Sequence, residues 1–249
     1  MKRRDLLIAA GVLGAVFGGL PMVRRYLSGF DFAPLRGFDG FRRLEQGPIT
    51  SFPSFLLGID SLTPDQLRDR QAVEADPCGY LFGGPGVSGG NQLPIAIFGD
   101  YFCPYCAVLS RRLIRLQHQR SNIRLIVHEL PLLGPQSLRI AKVALAAGLQ
   151  GKHLSAHIRL TDRMLPPGPV ALRALAEDLG LDAEQLARDV EGPEVAAQLR
   201  ITAALGTALG IVGTPGTMIG RTLVIGAISQ HDIERLIDLE LSDPGETCG

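Results

Sequence analysis

The hydrophobic pattern is clearest from residue 92 onward, where apolar runs alternate with segments of helical periodicity. A short apolar run at residues 95–98 is typical of a buried strand, and residues 123–130 predict a second strand. Between them, leucines recur on one face of a helix that we expect to run from Cys103 to about residue 120.

An Ala- and Leu-rich stretch follows at residues 134–210, and its glycine and proline breaks predict three to five helices. Residues 217–219 and 223–225 then predict a hairpin, and Ser229 caps a last helix over residues 230–241. The order strand, helix, strand, helical block, strand, strand, helix predicts an α/β thioredoxin-like fold. The helical domain is inserted between the second strand and the strand pair.

The N-terminal segment, residues 1–27, has the pattern of an export signal or an N-terminal anchor. Its basic start is followed by residues 6–23 without a single charge, and Arg3-Arg4 resembles the twin-arginine export pattern. We therefore expect a periplasmic protein, either released after export or tethered to the inner membrane by this segment.

Residues 28–91 lack a long period and are interpreted as an N-terminal extension and linker, with a short strand at 54–57. A helix within residues 61–75 is predicted, because Thr63 provides an N-cap and Pro64 suits the first helical position. The glycines at 84, 86 and 89 have dinucleotide-fingerprint spacing, but no helix follows them, so a flexible glycine loop is the better interpretation. The predicted division is 1–27 signal or anchor, 28–91 extension, 92–133 with 211–249 core, and 134–210 helical insertion.

Composition narrows the function classes. The chain has 249 residues, of which 46% are hydrophobic and 20% charged, which suits a folded domain with a sizeable core. Its formal net charge is zero and its basic residues are dispersed, so a nucleic-acid partner is not expected. The sequence leaves the oligomeric state open.

The four cysteines divide into a close pair and a distant pair. Cys103 and Cys106 form a CxxC motif, while Cys78 and Cys248 lie far apart along the chain. Because an exported protein meets an oxidising compartment, a structural Cys78–Cys248 disulfide is a reasonable hypothesis. Sequence alone does not show whether the two Cα atoms are close enough to be bridged.

The sequence CPYC at residues 103–106 points to thiol–disulfide chemistry. Cys103 stands where a strand ends and a helix begins, so unpaired amides should favour its thiolate, with Pro104 in the first helical turn. Cys103 is predicted to be the exposed nucleophile, and Cys106, on the same turn, the more buried resolving thiol. A tight structural disulfide would close too small a loop to stabilise much.

A zinc site is the other chemistry that a CxxC motif supports, but it requires a second ligand pair. His153 and His157 have helical spacing and are the only candidates. We interpret them as part of an ordinary helix face without a carboxylate beside them. No metal and no cofactor are expected.

At this point the chain resembles the DsbA-like family of periplasmic thiol–disulfide oxidoreductases. The resemblance rests on FGDYFCPYC at 98–106, GTP at 213–215 and GRTLVIGA at 220–227, and it covers about residues 92–242. It implies that Pro215 is a cis-proline beside the cysteines and that Thr214 offers its backbone to an extended substrate peptide. With Pro104 and Tyr105, these residues form the implied substrate-binding set.

The resemblance also has departures. Many relatives carry a buried acid six positions before the first motif cysteine, where this chain has Ile97. The resemblance therefore does not supply a proton relay to the resolving cysteine, and water is the alternative, since Asp100 is nearer but sits in the turn. The dipeptide Pro-Tyr lacks the His of the strongest oxidants, which makes the expected protein less oxidising.

The expected function is exchange with protein thiols and disulfides, as an oxidase or isomerase rather than a reductase. A membrane redox partner is expected to recycle the protein. The alternative is a non-catalytic chaperone or partner-binding module on the same fold.

Overall fold

The structure is a computed structural model that describes residues 29–45, 47–51, 63–83 and 92–243. The chain divides into two compact units, Met1–Ala33 and Pro34–Gly249. In the first unit the rings of Phe30 and Phe32 lie 5.8 Å apart. The predicted signal or anchor, the strand at 54–57, the glycine loop and Cys248 lie outside the described residues.

Six strands and nine helices lie within the described ranges. The strands are β1 Ala33–Pro34, β2 Arg42–Glu45, β3 Leu93–Gly99, β4 Ile123–Glu129, β5 Gly216–Ile219 and β6 Thr222–Ile225. The helices are α1 Pro64–Ala75, α2 Pro77–Phe82, α3 Pro104–Gln119, α4 Pro135–Leu149, α5 His153–Asp162, α6 Pro169–Leu179, α7 Ala183–Asp189, α8 Pro193–Ala208 and α9 Gln230–Ser242. None of these helices is long and apolar enough to cross a bilayer.

The sheet of the second unit has the strand order β2-β6-β5-β3-β4. Strands β3 and β4 are parallel, from Leu93 opposite Ile123 to Gly99 opposite Glu129, and α3 connects them. Strand β5 runs antiparallel to β3 and forms a hairpin with β6. The thioredoxin-like α/β core predicted from the sequence is confirmed.

The β3–α3–β4 unit positions the cysteines, and its burial explains why it folds as predicted. Every residue of β3 except Pro94 is buried, as expected for a central strand covered on both faces. Helix α3 turns Leu109, Leu113 and Leu116 inward, each at most 2% exposed. These leucines fix α3 on the sheet, so its first turn stands at the carboxyl end of β3.

The helical insertion forms its own core. Helices α4 to α8 lie between β4 and β5, which is at the upper end of the predicted three to five. Their buried apolar side chains form one cluster that includes Ile140, Ala144, Leu160, Leu175 and Leu186. Tyr101 and Phe102, which precede the motif, pack against this cluster, so the cysteines stand where the insertion meets the sheet.

The N-terminal extension is more ordered than the sequence suggested. Thr63 caps α1 with a complete capping box, as predicted. In addition, β2 pairs with β6 in parallel at the sheet margin, and Phe38, Phe41 and Leu44 are buried. Sequence reasoning missed β2 because its one apolar residue, Leu44, gives no periodicity among charged neighbours.

Candidate active site

The turn before the motif is held by a buried carboxylate. Asp100 is 3% exposed, and one of its oxygens accepts hydrogen bonds from the Phe102 amide at 2.8 Å and the Ser137 hydroxyl at 2.8 Å. The other oxygen accepts from the Leu133 amide at 2.9 Å. The Asp100 carbonyl accepts from the Cys103 amide, so this residue fixes where α3 begins. Asp100 therefore orients the helix start.

Cys103 is the N-cap residue of α3, and its sulfur serves as the capping acceptor. The Cys106 amide donates to Cys103 Sγ at 3.3 Å, while Pro104 occupies the first helical position and has no amide hydrogen to leave unpaired. Both cysteines carry free thiols, so the structure describes the reduced protein. The amides at the helix start thus point at Cys103 Sγ, the sulfur that the sequence predicts to be the nucleophile.

The two thiols have opposite acidities. The hydrogen bond from the Cys106 side chain is the largest influence that lowers the pKa of Cys103, from 9.0 to about 5. Burial opposes this shift, while the Thr50 hydroxyl and the Cys106 amide support it. Burial, followed by the same hydrogen bond to Cys103, raises the pKa of Cys106 far above its usual range. At neutral pH the pair therefore holds one thiolate and one thiol.

The loop before β5 forms the opposite wall of the site. The Thr214–Pro215 peptide bond is cis. The Thr214 carbonyl oxygen lies 3.3 Å from Cys103 Sγ, which brings this loop directly against the motif. Residues 111 positions apart in the chain are thereby placed in contact, as the resemblance implied for Thr214 and Pro215.

The expected exposure of Cys103 is wrong. Cys103 is 0% exposed and Cys106 is 4% exposed, while Pro104 and Tyr105 between them are exposed. Part of the structure that buries Cys103 comes from the N-terminal extension. Thr50 forms an isolated antiparallel bridge with Thr214, with N···O distances of 2.8 and 2.9 Å in the two directions.

Residues 47–51 fit closely on the loop that carries Pro215. A Cβ added at Gly213 would lie 2.9 Å from the Thr50 carbonyl oxygen and 3.1 Å from the end of the Ile49 side chain. The Ala227 amide donates to the Pro48 carbonyl at 3.1 Å. Because Thr50 uses the backbone groups of Thr214, the extension stands where an extended peptide could pair with that loop. Sequence reasoning had no signal for this contact between distant segments.

The pairing of Cys78 with Cys248 stays a prediction. Cys78 lies on α2 and is disulfide-bonded. Its predicted partner, Cys248, lies outside the described residues. Cys78 is also remote in sequence from the motif, and its side chain packs against the core cluster beneath the sheet.

The interpretation of His153 and His157 as an ordinary helix face without a carboxylate is wrong. Both approach Glu129 Oε1, from His153 Nε2 at 3.1 Å and from His157 Nδ1 at 3.4 Å. Tyr101 donates to the same oxygen at 2.8 Å. Glu129 is 1% exposed at the end of β4, where the strand alternation alone gave no reason to expect a charge.

The charge state of this cluster follows from its contacts. Burial raises the pKa of Glu129, but the hydrogen bonds from His153 and His157 outweigh burial and hold it at about 2. Burial and the neighbouring Glu129 raise the pKa of Tyr101, which stays a hydroxyl donor. Within the described ranges, no group of three or more His, Cys, Asp or Glu side chains has the arrangement of a metal site.

Comparison with known proteins agrees with this geometry. A family model described as a DSBA-like thioredoxin domain matches residues 94–238. A curated relative, the Na(+)/H(+) antiporter NhaA 1 of Salinispora arenicola, is 30% identical over 126 residues, which is 44% of this chain. The chain spans only 19% of the length of that relative.

Solved structures give the same fold. A thioredoxin-like oxidoreductase from Silicibacter pomeroyi is 33% identical with a TM-score of 0.58, and the match covers 66% of this chain and 97% of that one. The thiol-disulfide exchange protein alpha-DsbA2 from Wolbachia pipientis is similar in fold at 19% identity, with a TM-score of 0.57 and coverage of 72% and 99%. The catalytic domain of Proteus mirabilis ScsC is likewise similar at 23% identity, with a TM-score of 0.57 and coverage of 70% and 99%.

The first prediction concerns the acidity of Cys103. In the reduced protein, the alkylation rate of Cys103 should rise with a midpoint near pH 5, because the thiolate is the reactive species. Cys106→Ala should move the midpoint upward, since it removes the largest hydrogen bond to the thiolate. Cys106→Ser, which keeps a donor, is the matched control and should stay closer to pH 5. Equal midpoints in the two variants would contradict the assigned cause.

The lowered pKa of Cys103 also makes the free energy of unfolding of the reduced protein depend on pH. The folded pKa of Cys103, about 5, lies below the ordinary value of 9.0. The thiolate therefore stabilises the reduced protein fully above pH 9, and this contribution is lost as the pH falls through about 5. Denaturant unfolding of the reduced protein at several pH values should show this loss, and Cys103→Ala should remove it.

The second prediction concerns the cover over Cys103. Thr50→Pro removes the amide that donates to the Thr214 carbonyl, so the 47–51 segment should open more often. A lost backbone hydrogen bond of about 1 kcal/mol corresponds to alkylation of Cys103 about fivefold faster at pH 8. Thr50→Ala keeps both backbone bonds and should change this rate less. An unchanged rate in Thr50→Pro would show that the segment does not limit access.

Proposed function

The chain belongs to the DSBA-like thioredoxin domain family of thiol–disulfide oxidoreductases, and from that premise we propose that it exchanges disulfides with protein clients in the periplasm through Cys103 and Cys106. The observation that carries this proposal is the capping of α3 by the Cys103 sulfur. A thiolate with a pKa of about 5 stands one helical turn from a second, protonated thiol and against the Pro215 loop. That arrangement supplies an attacking sulfur and a resolving sulfur together.

The reaction in the oxidising direction begins with the Cys103–Cys106 disulfide. A client thiolate attacks Cys103 Sγ and forms a mixed disulfide, while Cys106 leaves with the bonding electron pair and takes up a proton. A second client thiolate then attacks the client sulfur of the mixed disulfide and releases Cys103 as a thiolate. The client gains one disulfide and the protein takes up two electrons.

The acidity of Cys103 favours oxidation or isomerisation over reduction. A stabilised thiolate lowers the free energy of the reduced protein, which makes its disulfide a stronger oxidant. The pKa of about 5 lies between the values of about 7 and about 3.5 typical of reducing and strongly oxidising CxxC motifs. The missing histidine in the Pro-Tyr dipeptide is consistent with an intermediate oxidant.

Client proteins would approach over Tyr105 and the Pro215 loop. Tyr105 is 37% exposed, and Val108 and Val212 are 46% and 59% exposed on the two elements that carry Cys103 and Pro215. An extended client segment would pair with the Thr214 backbone, as Thr50 does in this structure. Binding would therefore require residues 47–51 to move aside.

The proposed location and recycling follow from the N-terminal segment. The basic and apolar pattern of residues 1–27 supports export, by the twin-arginine route or as a membrane tether. In that compartment a membrane redox partner would reoxidise the dithiol.

The third prediction tests the exchange mechanism. Cys103→Ser should abolish exchange with a reduced client protein, because no attacking sulfur remains. Cys106→Ser should accumulate mixed disulfides, detectable by non-reducing mass analysis, since the resolving sulfur is gone. Full client binding with both cysteines replaced, together with no trapping in Cys106→Ser, would instead identify a non-catalytic chaperone.

The fourth prediction tests the direction of electron flow. The reduction potential of the Cys103–Cys106 pair, measured against glutathione by thiol labelling, should be less negative than about −220 mV. A more negative value would assign the protein as a reductase. Cys78 is disulfide-bonded and carries no free thiol, so thiol labelling reports on Cys103 and Cys106.

A further inference from the structure

Cys106 must lose a proton when it attacks and regain it when it leaves, and this chain lacks the buried acid that relatives carry for this transfer. Burial makes the Cys106 thiolate unfavourable, so the Cys106 proton must leave as the sulfur attacks and return when it departs. Relatives place an acid where this chain has Ile97, which is 1% exposed and lies opposite Thr217 in the sheet. Position 97 of this chain therefore offers no ionisable group.

Cys106 lines a small cavity to which several polar side chains contribute. Its lining includes Cys106 and Ser110 from α3, Glu129 from β4, His157 from α5 and Tyr101 from the turn. The cavity leaves about 10 Å³ for the centre of a water molecule, close to the smallest space that holds one. Since four of these side chains are polar, a water there would find partners.

A continuous series of hydrogen bonds leads away from this cavity. Ser110 Oγ lies 3.1 Å from His157 Nε2, and His157 Nδ1 lies 3.4 Å from Glu129 Oε1. Ser110 follows Cys106 by four residues, so the two side chains share one face of α3. The path thus begins beside the resolving sulfur and ends at a buried charge.

The tautomer of His157 follows from its partners. The Tyr101 oxygen lies 3.0 Å from His157 Nδ1, and because Tyr101 donates its hydrogen to Glu129, this oxygen can only accept from Nδ1. Ionised Glu129 also accepts hydrogen bonds only, so His157 Nδ1 carries the hydrogen that faces both groups. His157 Nε2 is then the basic nitrogen and accepts from the Ser110 hydroxyl. Glu129 both fixes this tautomer and stabilises the imidazolium that forms when Nε2 gains a proton.

We propose that Ser110, His157 and Glu129 form a proton path to and from Cys106, bridged by one water in the cavity. The proposal rests on the proposed function of the Cys103–Cys106 pair. As Cys106 Sγ attacks the Cys103 mixed disulfide, its proton passes through the water and Ser110 to His157 Nε2. The client thiolate leaves with the electron pair of its broken S–S bond, and His157 becomes an imidazolium beside Glu129. The reverse direction returns the proton to Cys106 as it departs.

The groups around Glu129 agree with this assignment. From the turn and α5, Tyr101 and His153 donate to its Oε1 and hold the carboxylate ionised. On β4 itself, His128 is engaged with the Leu81 carbonyl at 2.9 Å. Asp100 also lines the cavity, but its oxygens are occupied by two backbone amides and the Ser137 hydroxyl. His157 is therefore the base placed to exchange a proton through Ser110.

The connectivity Ser110–His157–Glu129 is also that of a hydrolase triad. Ser110 is 2% exposed on the buried face of α3, so a substrate carbonyl has no access to its hydroxyl. Cys106, in contrast, lines the same cavity. The arrangement is therefore suited to moving protons rather than to attacking an ester or amide.

The fifth prediction separates the two thiol steps with Ellman's reagent, an aromatic disulfide that releases a coloured thiolate. Stopped-flow mixing with the reduced full chain should give a first phase from Cys103 and a second phase as Cys106 resolves the mixed disulfide. Glu129→Gln and Ser110→Ala should leave the first phase unchanged and slow the second at pH 7 at least about tenfold, within the range of general acid–base catalysis.

The pH profile distinguishes proton transfer from a structural role. Without the path, solvent must remove the Cys106 proton, so the second-phase rate should keep rising about tenfold per pH unit. The intact protein should instead level off. Glu240→Gln is the matched control, because Glu240 is also a fully buried carboxylate but pairs with Arg42 away from the cavity. It should leave both phases and both profiles as in the intact protein.

The outcomes are distinct. An unchanged second phase in Ser110→Ala, which keeps Glu129 and its partners, overturns the path even if Glu129→Gln fails to fold. Equal slowing in Glu240→Gln also overturns it. If the intact protein gives no two-phase release, the proposed function fails rather than the path.

Discussion

The chemistry of this protein depends on one interaction, the hydrogen bond from the Cys106 amide to the Cys103 sulfur at the start of α3. A helix must satisfy its first amides somewhere, and here a thiolate takes the place of the usual serine or aspartate cap. The same contact adds to the lowering of the Cys103 pKa, whose largest cause is the hydrogen bond from the Cys106 side chain. The fold serves to hold it: Asp100 fixes the turn, and the α3 leucines fix the helix on the sheet.

The two thiols have different surroundings because they face different neighbours. Cys103 faces the Pro215 loop and Thr50, and the Thr50 hydroxyl favours its thiolate. Cys106 faces inward, toward a cavity that the helical insertion closes. The insertion therefore contributes His157 to the region behind the resolving sulfur in addition to its own core. That position explains how a chain with Ile97 in the sheet can still provide a proton acceptor.

The N-terminal extension also contributes both to the fold and to the site. Strand β2 completes the sheet, and residues 47–51 continue from it to the Pro215 loop. A bridge of two backbone hydrogen bonds covers the sulfur in the reduced protein. Because such a bridge contributes only about 1 kcal/mol per bond, the cover is weak enough to open for a client yet sufficient to leave Cys103 with no exposed surface in this structure.

Local sequence determined the succession of helices and strands from β3 onward, the start of α3 and the pairing of Cys103 with Cys106 in one motif, because periodicity, capping and a two-residue spacer act over a few residues. It also identified Thr214 and Pro215, through a family pattern. The tertiary structure alone decided the partners that come from distant segments: Thr50 on Thr214, and Glu129 beneath His153 and His157. A polar side chain on a helix or strand has the same local pattern whether it faces solvent or a buried partner, and only packing decides between them.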